Sequence, residues 1–153
     1  MDKNMVIIIT EDDDGHALLI NKNLKRAGIG NEIIHFKNGK EVLDFLFQRG
    51  DGQHRKKGVP YLMLLDINMP EIDGIEVLRQ IKQDDELKKI PTIMVTTTDD
   101  PIEIEKCYEL GCNIYVTKPV DYDKFIDAIK RLGLFIMVVE VPRMSSGESY
   151  NAS

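Results

Sequence analysis

A regular alternation of short apolar runs with segments of helical periodicity constrains this chain more than any other feature. Five runs have the length and composition of β-strands, and three of them are nearly all apolar, as is typical of strands covered on both faces. The alternation predicts an α/β fold with a mostly parallel five-stranded sheet and helices on both faces. The predicted strands are Met5–Thr10, Glu32–Phe36, Tyr61–Leu65, Thr92–Thr96 and Asn113–Val116.

The predicted helices end at glycines. Gly28, Gly111 and Gly133 stand where the first, fourth and fifth helices should stop, because glycine readily adopts the left-handed conformation that closes a helix. The second helix should stop near Gly50. A polar and basic loop is then expected over residues 51–60, before the third strand.

A C-terminal extension lies outside this alternation. The alternation is complete by residue 133, so we expect one domain over residues 1–133 and an extension over residues 134–153. Residues 134–141 are apolar and predict a further strand, whereas the residues after Pro142 predict a flexible tail. The apolar run must be covered either by its own domain or by a second copy of the chain. We expect a homodimer, formed through this run and the face of the last two helices.

Composition excludes several classes of protein. With 20 Lys and Arg residues against 26 Asp and Glu residues, the chain lacks the basic balance of a typical nucleic-acid-binding protein. No apolar run approaches the roughly 18 residues that span a bilayer, and no signal peptide is visible, so we expect a cytoplasmic protein without membrane contact. Cys107 and Cys112 are interpreted as buried structural thiols, since two cysteines are too few for a metal site.

Polar side chains follow four of the predicted strands. Glu11 and Asp12 come after the first strand, Asp66 after the third, Thr96 ends the fourth and Lys118 follows the fifth. In an open α/β sheet, ligands bind beyond the carboxyl ends of the strands, so these groups should meet at one edge. Acids at such positions are also good helix N-caps, which is the plainer interpretation of Asp12 or of the nearby Asp14.

This set of side chains is suited to phosphoryl transfer. Three carboxylates close together would repel one another, and a hard divalent cation such as Mg²⁺ would remove the repulsion. A carboxylate such as Asp66 can act as the nucleophile in forming an aspartyl-phosphate. A lysine and a threonine hydroxyl, here Lys118 and Thr96, can then hold the other phosphoryl oxygens.

Four ordered motifs resemble the receiver domain of two-component response regulators. They are Glu11–Asp12, "LLDINMPEIDG" at residues 64–74, "TIMVTTTDD" at residues 92–100 and "YVTKPVD" at residues 115–121. The resemblance covers residues 5–132 and implies the doubly wound, flavodoxin-like fold with strand order 2-1-3-4-5, an order that is known for this family.

The resemblance also implies a role for each site residue. Asp66 would accept phosphate from a sensor histidine kinase. Glu11 and Asp12 would hold Mg²⁺, with Asp12 and Asp66 as direct side-chain ligands and the backbone carbonyl of Asn68 as the third protein ligand.

The remaining roles implied by the family concern the switch. Thr96 would turn its hydroxyl toward the phosphoryl group, Tyr115 would change rotamer with it, and Lys118 would pair with the phosphoryl oxygens. Thr97 stands where many receivers have a smaller residue, and its bulk suggests slower access to the phosphoryl group.

The partners follow from the same resemblance. Residues 134–153 are too few for a DNA-binding domain, so the output should be protein contact without direct DNA binding. The basic loop and "KCYELGCNIYVTKPVD" resemble single-domain regulators that partner phytochrome-type kinases, which implies a bacteriophytochrome as kinase and a possible downstream phosphotransfer protein.

Only self-phosphorylation and autodephosphorylation are expected, rather than enzymatic turnover. Two alternatives stay open: a receiver-like interaction module that works without phosphorylation, and a small Mg²⁺-dependent phosphohydrolase, against which Asn68 counts.

Overall fold

A computed structural model describes residues 2–145 of the chain and shows a parallel five-stranded sheet between two layers of helices. The predicted strands are confirmed to within a residue at their ends. The strands are β1 (Val6–Thr10), β2 (Ile33–Phe36), β3 (Tyr61–Leu65), β4 (Thr92–Thr96) and β5 (Ile114–Thr117). The helices are α1 (Asp14–Arg26), α2 (Gly39–Leu46), α3 (Gly74–Lys82), α4 (Pro101–Leu110) and α5 (Tyr122–Val138), with a short 3₁₀ turn at Leu87–Lys89.

The sheet has the order β2-β1-β3-β4-β5, and every neighbouring pair is parallel. This is the order that the family resemblance implies, and it places β1 and β3 side by side at the point where the direction of winding reverses. All residues of β1, β3 and β4 are buried, which confirms that these strands are covered on both faces.

Two apolar layers hold the sheet. Alternate residues of β1 point to opposite faces, so that Ile8 joins the layer beneath α2, α3 and α4, whereas Ile7 and Ile9 join the layer beneath α1 and α5. Consequently the helices fix the ends of the central strands from both sides, and the carboxyl ends of these strands form one rigid edge.

Two of the three predicted glycine stops are confirmed. Gly28 and Gly111 have φ angles of 101° and 107°, in the left-handed region that favours glycine; Gly111 is the C-cap of α4, and Gly28 follows Ala27, the C-cap of α1. Gly133 is different, because it lies inside α5. There an added Cβ would stand 2.9 Å from the Cβ of Ala27, so this glycine lets α5 approach α1 closely.

The predicted strand at residues 134–141 is wrong over most of its length, because α5 continues to Val138. The reason is that this apolar run has a helical rather than an alternating arrangement of burial. Leu132 and Ile136 are buried one turn apart, whereas Leu134 and Val138 point into solvent.

The chain after α5 folds back onto its own domain at the amino ends of the strands. Met144 is buried, and its carbonyl accepts a hydrogen bond from the backbone of Gly58, while Arg143 forms an antiparallel bridge with Pro60. The basic loop is held in turn by Arg55, whose Nε donates to the carbonyl of Leu46 over 2.8 Å. The rest of the predicted flexible tail lies outside the described residues.

No helix within residues 2–145 has both the length and the apolar character needed to cross a membrane.

Candidate functional site

The predicted site residues meet at the carboxyl edge of the sheet. Glu11 and Asp66 follow the adjacent strands β1 and β3, Thr96 ends β4, and Lys118 follows β5. All four side chains are buried, whereas Asp12 is exposed. The site is therefore a set of charged groups in the protein interior that opens to solvent on the side of Asp12.

The Lys118 ammonium group lies between the two buried carboxylates. It donates a hydrogen bond to Asp66 Oδ2 over 3.2 Å and another to Glu11 Oε1. The side chains of Lys118, Glu11 and Asp66 are only 2%, 2% and 6% exposed. Buried ions are tolerated only when they are paired and hydrogen-bonded, which the three groups achieve together.

The two carboxyl groups differ sharply in their affinity for a proton. Burial, together with the hydrogen bond to Asp66, raises the pKa of Glu11 to about 8. Burial also acts to raise the pKa of Asp66, but hydrogen bonds with Glu11 and Thr96 and the charge of Lys118 outweigh it and lower that pKa below its usual value. Asp66 is thus the ionised member of the pair at neutral pH, and Glu11 retains a proton when no cation is bound.

Three carboxylates are placed to hold a divalent metal ion. Glu11, Asp12 and Asp66 each offer an oxygen, and these oxygens lie within 4.8 Å of one another. Carboxylate oxygens are the ligands that hard divalent cations prefer. Burial is the main cause of the raised pKa of Glu11, and a bound cation would stabilise the ionised form of this carboxyl group, so the donor set fits the metal.

Neither Asp12 nor Asp14 is the N-cap of α1, so helix capping does not explain these two acids. The N-cap of α1 is Asp13, whose carboxylate accepts from the backbone of His16 over 3.0 Å, and neither Asp12 nor Asp14 has that place. Asp12 instead turns toward the other two carboxylates.

The loop after Asp66 is closed tightly by Gly74. The backbone of Gly74 donates to the carbonyl of Ile67 over 2.9 Å, and an added Cβ would stand 2.0 Å from the carbonyl oxygen of Asp66. Only glycine permits this approach, which lets α3 begin directly against the backbone of Asp66.

A hydrogen-bonded cluster joins the loops after β3 and β4. The side-chain amide of Asn68 donates to the hydroxyls of Thr96, Thr97 and Thr98 over 3.4, 3.2 and 3.1 Å. The hydroxyl of Tyr115 on β5 donates to the carbonyl of Thr98 over 2.6 Å. Both predicted switch residues, Thr96 and Tyr115, thus contact one loop, and Thr98, just after the end of β4, joins the cluster.

Sequence analysis did not identify two histidines that lie beside the carboxylates. His16 Nδ1 lies 3.0 Å from Lys118 Nζ, and His35 Nε2 lies 2.7 Å from the carbonyl oxygen of Glu11. His16 is in the first turn of α1 and His35 is in β2, so neither directly follows a strand. The criterion of strand ends could not find them; a search of the first turn after the acidic pair would have found His16.

Comparison with known proteins agrees with this geometry. The response regulator receiver domain family matches residues 7–130. Response regulator Rcp1 of Synechocystis sp. (strain ATCC 27184 / PCC 6803 / Kazusa) is 38% identical over 113 residues, which cover 74% of this chain and 76% of Rcp1.

Solved structures extend the likeness over nearly the whole chain. A response regulator receiver domain from Rhodospirillum rubrum superposes with a TM-score of 0.86 at 45% identity, covering 92% of this chain and 99% of its own. The Mn²⁺-bound form of Rcp1 gives a TM-score of 0.79 at 31% identity, with coverages of 90% and 98%. The phosphorylated cyanobacterial phytochrome response regulator RcpA also gives 0.79, at 29% identity, with coverages of 90% and 97%.

Proposed function

This chain belongs to the response regulator receiver domain family of two-component signalling, and we propose that it accepts a phosphoryl group on Asp66 from a sensor histidine kinase. The likeness to regulators of phytochrome systems favours a bacteriophytochrome as that kinase. Phosphorylation would change the contacts that Thr96 and Tyr115 make at the ends of β4 and β5. The phosphorylated form would then signal by binding another protein, such as a phosphotransfer protein.

The observation that carries most weight is the contact between Lys118 and Asp66 at the carboxyl edge of the sheet, where the ammonium group donates to Asp66 Oδ2 over 3.2 Å. The pKa of Asp66 is lowered, which favours the ionised carboxylate. An ionised carboxylate oxygen is the nucleophile that phosphoryl transfer requires. In that step a bond forms between phosphorus and a carboxylate oxygen of Asp66, and the bond from phosphorus to the kinase's imidazole nitrogen breaks, so that the imidazole leaves with its electron pair.

The other groups would stabilise charge on the transferred phosphoryl oxygens. Lys118 already points at Asp66 and can donate to a phosphoryl oxygen attached there. Thr96 lies on the neighbouring strand, within reach of the same carboxylate. We expect Mg²⁺ as the cation, held by Glu11, Asp12, Asp66 and the backbone carbonyl of Asn68; when bound, it neutralises oxygen charge. Rcp1 was solved in a Mn²⁺-bound form, which supports a divalent cation as a ligand of this chain.

The test is phosphorylation by acetyl phosphate with Mg²⁺, followed by intact mass measurement. We expect one phosphoryl adduct on the wild type and none on Asp66→Asn. Asp73→Asn is the matched control, because Asp73 is a carboxylate in the same loop that caps α3 and asparagine can cap equally well. No adduct on a folded wild type, with the partner kinase also failing, would refute the proposal in favour of an unphosphorylated interaction module. Turnover of a generic phosphomonoester would indicate a phosphohydrolase.

A homodimer through the last turns of α5 is part of the same proposal. Leu134 and Val138 are 62% and 74% exposed, and Phe135 and Met137 are partly exposed beside them. Contiguous apolar side chains of this size typically mark an interaction surface. Sedimentation velocity should show a dimer in the wild type and a monomer in Leu134→Lys. Because Leu134 points away from the core, a folded variant that stays dimeric would place the contact elsewhere.

A further inference from the structure

Four neighbours surround the ring of His16. Nδ1 lies 3.0 Å from Lys118 Nζ and 3.6 Å from Glu11 Oε1, and Nε2 lies 3.9 Å from the Asp13 carboxylate. The ring packs against Phe125 of α5 with 5.7 Å between centroids. His16 lies in α1 and Phe125 in α5, and these two helices pack together, so the ring is held between two helices beside the loop that carries Lys118.

The contact with Lys118 requires that Nδ1 accept a hydrogen bond. An ammonium group has three N–H donors and no acceptor, so the ring nitrogen facing it must present its lone pair. A neutral ring that accepts from Lys118 at Nδ1 carries its proton on Nε2, the nitrogen that faces the Asp13 carboxylate. That tautomer leaves Nδ1 free to accept.

Lys118 therefore has an acceptor for each of its three donors. Two acceptors are the carboxylates of Glu11 and Asp66, and the third is His16. When a phosphoryl group is attached to Asp66, its oxygens become the better acceptors, and the bonds from Lys118 to the carboxylates must rearrange. The bond to His16 need not change.

We propose that His16 is a positioning residue for phosphoryl transfer, which anchors the Lys118 ammonium group through Nδ1 while the lysine exchanges its carboxylate partners for phosphoryl oxygens. This inference rests on the phosphoryl-accepting role of Asp66 proposed above. His16 does not touch the reacting atoms; it acts through the orientation of Lys118.

Two substitutions distinguish the effect of the hydrogen-bond acceptor of His16 from the effect of its ring packing. His16→Asn keeps an oxygen near the position of Nδ1 and loses the packing on Phe125. His16→Phe keeps a ring beside Phe125 and loses the acceptor. If His16 positions Lys118, the asparagine variant should be phosphorylated at close to the wild-type rate, and the phenylalanine variant about three- to tenfold more slowly, which is the usual effect of one hydrogen bond. A purely structural role predicts the opposite order, because phenylalanine then preserves what matters.

The experiment measures the rate of adduct formation with acetyl phosphate and Mg²⁺ for the wild type, both His16 variants and Leu18→Asn. Leu18 lies on the same helix with its side chain 65% exposed, so its variant controls for a general effect of changing α1. Urea unfolding of each variant checks that it is folded at the assay temperature.

Each outcome decides the inference. A slow phenylalanine variant beside a near-normal asparagine variant supports positioning through the acceptor. A wild type that forms its adduct while both variants match it, or while only the asparagine variant is slow, overturns the positioning role and leaves the proposed function intact. A wild type that forms no adduct refutes the proposed function itself.

Discussion

Glu11 makes metal binding at this site depend on pH. The carboxyl group keeps its proton up to about pH 8, because burial and the neighbouring Asp66 disfavour a second buried charge. A bound divalent cation favours the ionised form, so binding must release that proton. Asp66, whose pKa is lowered, is already ionised throughout the neutral range.

The magnitude follows from the raised pKa. If Mg²⁺ binds only when Glu11 is ionised, its apparent affinity falls about tenfold for each pH unit below about 8. Between about pH 9 and about pH 6 the loss amounts to roughly a hundredfold.

The folding stability of the metal-free protein should change in the opposite direction. Between the usual pKa of 4.5 and the folded value of about 8, the folded protein holds a proton on Glu11 that the unfolded chain has released. Stability therefore decreases as pH rises through this interval. The lowered pKa of Asp66 contributes stability that is complete above its usual value of 3.8 and is lost only in more acidic solution, outside this interval. Saturating Mg²⁺ should remove the decrease.

The assay is calorimetric titration with Mg²⁺ in buffers of different ionisation enthalpy, from about pH 6 to about pH 9, for the wild type and Glu11→Gln. We expect proton release and rising affinity in the wild type. The glutamine variant should bind more weakly and with little dependence on pH in this range. A wild type whose affinity is flat from about pH 6 to about pH 9 would show that Glu11 carries no proton there, and our account of the charge balance would be wrong.

Three further predictions concern packing and the switch loop. Gly133→Ala should destabilise the protein by about 1–2 kcal/mol in urea unfolding, because the new Cβ meets Ala27 across the α1–α5 contact; an unchanged midpoint would mean that the helices can separate freely. Met144→Ala should cost about 2–3 kcal/mol in the same assay, since it empties a buried position under the basic loop, and no loss would mean that the C-terminal segment is not docked in solution. Thr97→Ala should shorten the lifetime of the phosphorylated form, measured as decay of the adduct after acetyl phosphate is removed, because it removes bulk and an Asn68 contact at the site mouth; an equal or longer lifetime would exclude steric protection by Thr97.

Local chemistry in the sequence was enough to predict the sheet and the principal site residues. Short and nearly all apolar runs that alternate with helical segments are typical of strands covered on both faces, so β1, β3 and β4 could be recognised. Because parallel strands share one carboxyl edge, the acids, the threonine and the lysine that follow them had to meet there. The family motifs supplied the strand order, which apolar patterning alone does not determine.

The C-terminal extension shows where local reasoning stops. An apolar run such as residues 134–138 is compatible with a strand or a helix, and a glycine just before it is typical of a helix end. Whether the helix continues past Gly133 depends on the position of α1, since Gly133 lies where α1 and α5 approach too closely for a side chain. The glycine is there for packing and not to end the helix.

Which groups gather at the carboxyl edge of the sheet follows from the sequence, because each stands at the end of a strand and parallel strands end together. How these groups interact depends on the folded chain: Lys118 lies between two buried acids, the pKa of Glu11 is raised while that of Asp66 is lowered, and His16 supplies a third acceptor. Position along a strand is a local property, whereas hydrogen bonding, burial and proton affinity depend on atoms brought together from distant parts of the chain.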